Sequence, residues 1–268
     1  MTATAAPERH PDGSVSVAAE GPILRIGLDR PEKYNGLTPK MVSELVDAYT
    51  RLDGDPALRV GVVFGHGKHF TAGLDLPKWV DGMKGGGGER SASRVDPFGL
   101  ARKCTKPVVC AVHGITYTAG IELMLACDIA VAADDCRFSQ LEPKRGIMAT
   151  GGATFRFVER GGYGNAMYHL LVLDEFDATE ARRCGLVQEV VPAGTQLDRA
   201  LALARKIAAL APLAIQATKA SARLYSERGE QACIAEFSSV QQRLANTEDA
   251  TEGVRSFVER REPRFTGR

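Results

Sequence analysis

The sequence predicts an α/β protein: a β-rich part built on parallel strands, followed by an all-helical region. Three observations carry this. Two neighbouring segments, "VSVAAEG" and "PILRIGLDR", alternate apolar with other residues, the period of a half-buried strand. Three later segments, "LRVGVVFGHG", "KPVVCAVHG" and "IAVAA", are continuously apolar, as strands covered on both faces are; the last two flank the apolar helix "AGIELMLACD", the order of a parallel β/α crossover. From Leu197 onward the periodicity is helical almost throughout.

Taken in order, the first 14 residues, "MTATAAPERHPDGS", lack the apolar stretch of a secretory signal and read as a frayed leader. The two alternating segments then form a hairpin, and "PEKYNGLT" is a loop. Thr38 before Pro39 suits a helix cap and first turn, and Met41, Leu45, Val46, Tyr49 and Leu52 mark one apolar face. "DGMKGGGGERSASRVDP" is a glycine-rich loop, either a lid beside a site or a tolerated surface insertion. "RFSQLEPKRGIMATGG" is irregular; Thr150 is expected to cap the helix "GGATFRFVER", and a further helix covers "GNAMYHLLV". "TEARRCG" is a short helix ended by Gly185, and "LVQEVVP" is the last strand. Three parts result: a leader at 1–14, a β/α core at 15–196 and a helical region at 197–268.

Composition narrows the function classes. With 34 basic and 33 acidic residues the net charge is +1, without the basic excess or stripe of a nucleic-acid binder. No apolar run reaches the length of a membrane span. The six cysteines form no C-x-x-C pair and most lie in apolar segments, as reduced buried thiols of a cytoplasmic protein do.

Most common chemistries find no footing. None of the five histidines, His66, His69 and His113 among them, has metal-like spacing with another ligand, and no metal site is expected. There is no G-x-S-x-G elbow and no P-loop, and "GHGKHF" is an incomplete dinucleotide fingerprint. Two acids remain. Glu122 lies in an otherwise apolar helix, where it is either functional or a first-turn acid satisfied by the helix N-terminus. Glu142 sits in "FSQLEPKRGI", where Lys144 and Arg145 are alternative partners. The chain also writes nearly one phrase twice, "TAGLD" at 71–75 and "TAGIE" at 118–122, each after a strand-like segment. Both read as turns that open helices and aim two backbone N–H groups at one oxygen.

These residues resemble the enoyl-CoA hydratase/isomerase, or crotonase, family over nearly the whole chain from about residue 15. "LDRPEKYNGLT" is similar to its coenzyme A loop and "GHGKHFTAGLDL" to its first oxyanion segment. "KPVVCAVHGITYTAGIELMLACDIAVAADDCRFSQLEPKRGI" is similar to its signature, with the two glutamates at the hydratase spacing, and "LDEFDATEARRCGLVQEVV" matches a further family segment. The resemblance implies a spiral core of repeated β-β-α turns, a helical C-terminal region that makes trimer contacts, and an acyl-CoA thioester ligand, with no cofactor beyond the coenzyme A of the substrate. It implies an oxyanion hole from the N–H groups of Leu74 and Ala119. Glu122 would hold and activate water and Glu142 would protonate C2 of a 2-enoyl-CoA. Lys33, Tyr34, Ala72, Asp75, Leu76, Gly120 and Thr150 fall at substrate-binding positions.

The chain also departs from the pattern. Leu74 stands where hydratases usually have Ala, "TAG" where Gly-Gly-Gly is usual, and Ala149-Thr150 where Pro-Gly is usual, Thr150 replacing a glycine whose N–H helps hold the water. Gln241 stands where neighbouring subunits often offer an aromatic. Hydration to 3-hydroxyacyl-CoA by a cytoplasmic homotrimer or dimer of trimers is the leading expectation. Isomerisation, thioester hydrolysis and a catalytically silent acyl-CoA-binding trimer are the alternatives.

Overall fold

The computed structural model describes residues 10–85 and 92–268. Most of the leader and of the glycine run therefore lies outside the described residues. Strand β1 (Ser14–Glu20) and strand β2 (Ile23–Asp29) form the expected antiparallel hairpin. Strands β3 (Val60–Gly65), β4 (Val108–Val112), β6 (Ile129–Ala133) and β9 (Glu189–Val191) then add in parallel, giving a six-stranded sheet in the order β1-β2-β3-β4-β6-β9.

Because side chains alternate across a strand, each apolar strand feeds two cores. Val60, Val62, Phe64, Val109, Ala111 and Val131 pack on one side against Ala200, Leu201, Ala204 and Ala208 of helix α6 (Gln196–Ala208). Val63, Val108, Cys110, Val112, Ala130 and Ala132 face the other way, into a larger core. That core includes Met41, Leu45 and Leu52 of helix α1 (Pro39–Gly54) and the apolar residues of helix α3 (Ala119–Ala126). The Thr38 cap is made as expected, its hydroxyl accepting the Met41 N–H at 3.2 Å.

A second sheet of three very short strands was not legible in the sequence: β5 (Ile115–Tyr117), β7 (Arg137–Ser139) and β8 (Phe176–Asp177). Two or three residues carry no periodicity, so only pairing partners define them. Helix α2 (Val80–Lys84) is one short turn leading to the glycine run. Helix α4 (Ala153–Met167) kinks at Gly162, where φ is 76°, and continues as a π-helical turn, Tyr168–Val172. The expected Thr150 cap is not made. Gly152, at φ 111°, is the N-cap, and the N–H groups of Gly151 and Ala153 bond instead to a carboxylate from α3. Helix α5 (Ala178–Arg183) stops before Gly185 at φ 69°.

Three further helices follow α6: α7 (Pro212–Arg228), α8 (Glu230–Ala245) and α9 (Glu248–Glu259). α7 buries no residue and α8 only Cys233, while Tyr225, Ile234, Phe237, Val254, Phe257 and Val258 are exposed. α9 anchors the tail: Asp249 accepts the Thr266 and Gly267 N–H groups, and Glu252 pairs with Arg255 and Arg261. Among the described residues no single helix is long and apolar enough to cross a membrane.

One buried side chain fixes the loop leading into α1. Asn35, fully buried at φ 52°, accepts the Arg30 N–H at 2.7 Å and donates to the His66 and His69 carbonyls, both at 2.8 Å. Asn35→Ala strands three backbone groups at once and is expected to destabilise the fold by about 3–4 kcal/mol, read from denaturant unfolding midpoints.

Candidate active site

The two echoed stretches meet across the second sheet. Thr71 bridges Thr116 in parallel, the Tyr117 N–H donates to the Thr71 carbonyl at 3.0 Å, and the Thr71 N–H to that of Ile115 at 3.2 Å. On its other side "TAGLD" bridges Leu37. The Leu37 N–H donates to the Gly73 carbonyl and the Asp75 N–H to the Leu37 carbonyl, at 2.8 and 3.0 Å. A parallel bridge uses the groups flanking Leu74 and turns the Leu74 N–H the other way. Among the described residues that N–H has no acceptor. Ala119 is the first residue of α3, so its N–H has no partner in its own helix. Helix N-termini also carry positive potential, so the arrangement favours an oxygen gaining negative charge.

Glycine is required where these segments touch. A Cβ on Gly120 would lie 2.6 Å from Thr71 Cγ2, and one on Gly73, at φ 93°, only 1.6 Å from Thr118 Oγ1. The neighbouring loop is tied in by Arg30, whose Nη1 meets Asp75 Oδ2 at 2.7 Å, and by the Ala72 N–H on the Tyr34 carbonyl at 2.9 Å. Lys33 and Tyr34 end a 3-10 turn with exposed side chains, and the Tyr34 ring lies 5.1 Å from that of His69. Leu76 opens the next 3-10 turn, Leu76–Lys78, and Trp79 donates its indole N–H to the Leu37 carbonyl. Lys33, Tyr34, Ala72, Leu74, Asp75 and Leu76 thus share one region, joined through Thr71 to Ala119 and Gly120.

Both glutamates are buried, at 4 % and 8 % exposure for Glu122 and Glu142. Glu122 projects from the first turn of α3 and its Oε1 accepts the Gly151 N–H at 2.7 Å and the Ala153 N–H at 3.1 Å. Burial raises its pKa; these bonds and the nearby Arg156 charge partly oppose the rise. A Cβ on Gly151 would sit 2.5 Å from Glu122 Oε2, so this glycine lets the backbone reach the carboxylate. Arg156, itself buried, donates to the Gly151 carbonyl at 3.0 Å and the Phe98 carbonyl at 2.6 Å, holding that turn in place. Thr150 is exposed beside it.

Glu142 opens the 3-10 turn Glu142–Arg145, and its buried Oε2 has no hydrogen-bond partner. Burial, with a smaller contribution from the Glu122 charge, pushes its pKa up from 4.5 to about 7. Lys144 and Arg145, the alternative partners, form no ion pair with it among the described residues. Burial raises both acids, but backbone donors and Arg156 oppose the rise at Glu122, so the two can divide into an acid and a base of one residue type.

The folded chain binds the Glu142 proton more tightly than the unfolded chain. The group therefore favours folding at low pH, and that advantage is lost as pH rises from 4.5 through about 7. Glu142→Gln is expected to raise stability by up to about 3 kcal/mol above pH ~7 and by little below pH ~4.5, measured by denaturant unfolding across that range.

Other clusters are closed by their own partners. His169, Glu180 and Cys184 present donor atoms within 4.8 Å of one another, a grouping that sequence spacing did not reveal. Arg183 already engages Glu180 through Nε and Nη2, both at 2.6 Å, and holds its pKa down at about 2. A cation would fit only by displacing that guanidinium. A cleft of about 360 Å³ at Arg137, Glu175, Phe176, Asp177 and Glu180 and one of about 870 Å³ along α9 and the tail contain neither Glu122 nor Glu142. The acids lining them are largely paired with arginines, and the candidate site rests on converging chemistry, not cleft size.

Arg30, Asn35, Thr118, Gly151, Ala153 and Arg156 were not singled out as site residues from sequence. For Thr118 a signal existed, a β-branched residue where the resembling family has glycine; for the others only the contacts reveal the role.

The fold is that of a crotonase-type enzyme. A solved structure of a probable enoyl-CoA hydratase/isomerase from Mycobacterium abscessus superposes with a TM-score of 0.92 at 42% identity, covering 95% of this chain and 98% of that one. The enoyl-CoA hydratase EchA19 of Mycobacterium tuberculosis is 34% identical over 97% of this chain and 98% of its own length. The 2,3-dehydroadipyl-CoA hydratase of Escherichia coli is 33% identical over 94% and 98%. A model of the family described as enoyl-CoA hydratase/isomerase matches residues 18–268. The chain belongs to the enoyl-CoA hydratase/isomerase family.

Proposed function

We propose that the protein adds water across the double bond of a 2-enoyl-CoA thioester to give the 3-hydroxyacyl-CoA. The observation that carries this reading is the second acid. Glu122 and Glu142 are both buried, they interact, and they lie in segments that converge with the free N–H groups of Leu74 and Ala119. The thioester oxygen sits between those two donors and gains enolate-like charge as water attacks C3. Glu122, anchored by Gly151 and Ala153, holds the water and takes its proton. Glu142 delivers a proton to C2, so one H and one OH are added in all. Lys33, Tyr34, Ala72, Asp75, Leu76, Gly120 and Thr150 lie along the path of the substrate. The exposed apolar residues of α7, α8 and α9 support assembly as a trimer or a dimer of trimers.

A second reading, double-bond isomerisation, needs one acid/base and is favoured by the unpartnered oxygen of Glu142 alone. Mixing the protein with crotonyl-CoA and following the enoyl-thioester absorbance separates the two. Loss of absorbance with incorporation of labelled water into product supports hydration. No turnover of crotonyl-CoA, with conversion of a 3-enoyl-CoA to its 2-enoyl isomer, overturns it in favour of isomerisation.

A further inference from the structure

Thr118 has φ 50° and ψ −120°, a backbone conformation suited to glycine and strained for a β-branched residue. No structural bond of its side chain compensates. Its hydroxyl does not cap α3 and, among the described residues, has no hydrogen-bond partner. The side chain instead fills the space above Gly73. A Cβ at residue 73 would lie 1.6 Å from Thr118 Oγ1 and 3.0 Å from Thr118 Cβ. The hydroxyl therefore stands between the two segments that carry the free donors, since the Leu74 N–H directly follows Gly73 and the Ala119 N–H directly follows Thr118. The backbone around it is held from both sides: the Thr118 N–H donates to the Ser139 carbonyl at 3.0 Å, and its carbonyl accepts the Glu122 N–H at 3.2 Å. Retained strain that serves no packing bond marks a functional position.

We infer that the Thr118 hydroxyl is a third hydrogen-bond donor to the thioester oxygen, beside the N–H groups of Leu74 and Ala119. This rests on the acyl-thioester reading above. A hydroxyl can rotate its proton toward the oxygen as charge builds, and among the described residues it is not already committed as a donor elsewhere. The bond is strongest when the oxygen is most negative, so it lowers the barrier more than it tightens binding.

Three variants separate the hydroxyl from the shape. Thr118→Val keeps the volume and the branching at Cβ and removes the donor; Thr118→Ser keeps the donor; Thr118→Gly removes both and relieves the strain. Crotonyl-CoA turnover is expected to fall about 10- to 100-fold in Thr118→Val and Thr118→Gly, mainly in kcat, and to stay within about threefold in Thr118→Ser. Thr118→Gly should melt no lower than the wild type, which a purely structural role for Thr118 would not allow. A readout without turnover is the carbonyl stretch of bound butyryl-CoA carrying carbon-13 at C1. The band should lie at lower frequency in the wild type and Thr118→Ser than in Thr118→Val. Equal activity and equal carbonyl frequency in Thr118→Val and wild type overturn the inference. If the wild type binds butyryl-CoA but does not hydrate crotonyl-CoA, hydration alone fails and the carbonyl band still decides the donor. If it binds no acyl-CoA, both fall.

Discussion

Glu122→Gln and Glu142→Gln are each expected to slow hydration of crotonyl-CoA by about 10²- to 10⁴-fold, the span that a positioned acid or base contributes. Glutamine keeps the shape of each carboxyl and can still accept the Gly151 and Ala153 N–H groups at position 122, so KM should change little while kcat falls. The two losses should not add, because the groups act on one proton inventory. The pH dependence distinguishes the roles. Burial pushes Glu142 up to about 7, so a donor at this position is lost as pH rises through that value. The wild-type rate should fall on that limb, and the residual rate of Glu142→Gln should lack it. Full activity in either variant would remove that glutamate from the mechanism.

Gly73→Ala is expected to show the other large effect. The new Cβ would lie 1.6 Å from Thr118 Oγ1 and 3.2 Å from the Tyr117 carbonyl, at φ 93°. Thr118 Oγ1 can turn away, but Thr118 Cβ at 3.0 Å and the Tyr117 carbonyl cannot, so the segments carrying the Leu74 and Ala119 N–H groups must shift by a few tenths of an ångström. A donor moved out of line costs about 10²- to 10³-fold in kcat, and the strained backbone about 1–3 kcal/mol of stability. Adding Thr118→Gly removes the collision but not the φ strain. The double variant should therefore regain stability in part, read from unfolding midpoints beside kcat. An unimpaired Gly73→Ala enzyme would mean that the two segments do not meet as described.

Much of this architecture is written locally. The alternation of "VSVAAEG" and the unbroken apolar run of "LRVGVVFG" place strands because burial on one face or two leaves different periods, and Thr38-Pro39 starts a helix by the chemistry of one cap. The cap expected at Thr150 failed for a non-local reason. A carboxylate from a helix some thirty residues earlier in the chain, Glu122, satisfies that turn, and no local rule can weigh a partner brought in by folding.

The candidate site divides along the same line. The sequence by itself determined which groups are present: two acids at a set separation, two glycine turns of nearly one phrase, and a loop with Asn35 at its end. Only the tertiary structure decided their states. It buried Glu142 without a partner, gave Glu122 the N–H groups of Gly151 and Ala153, and left the Leu74 N–H turned away from Leu37. It also pressed Thr118 into a glycine conformation against Gly73. The reason is physical. Residue identity fixes what a side chain can donate, accept or ionise, whereas the dielectric around a carboxyl and the partner facing an N–H are set by distant segments that only the packed chain brings together.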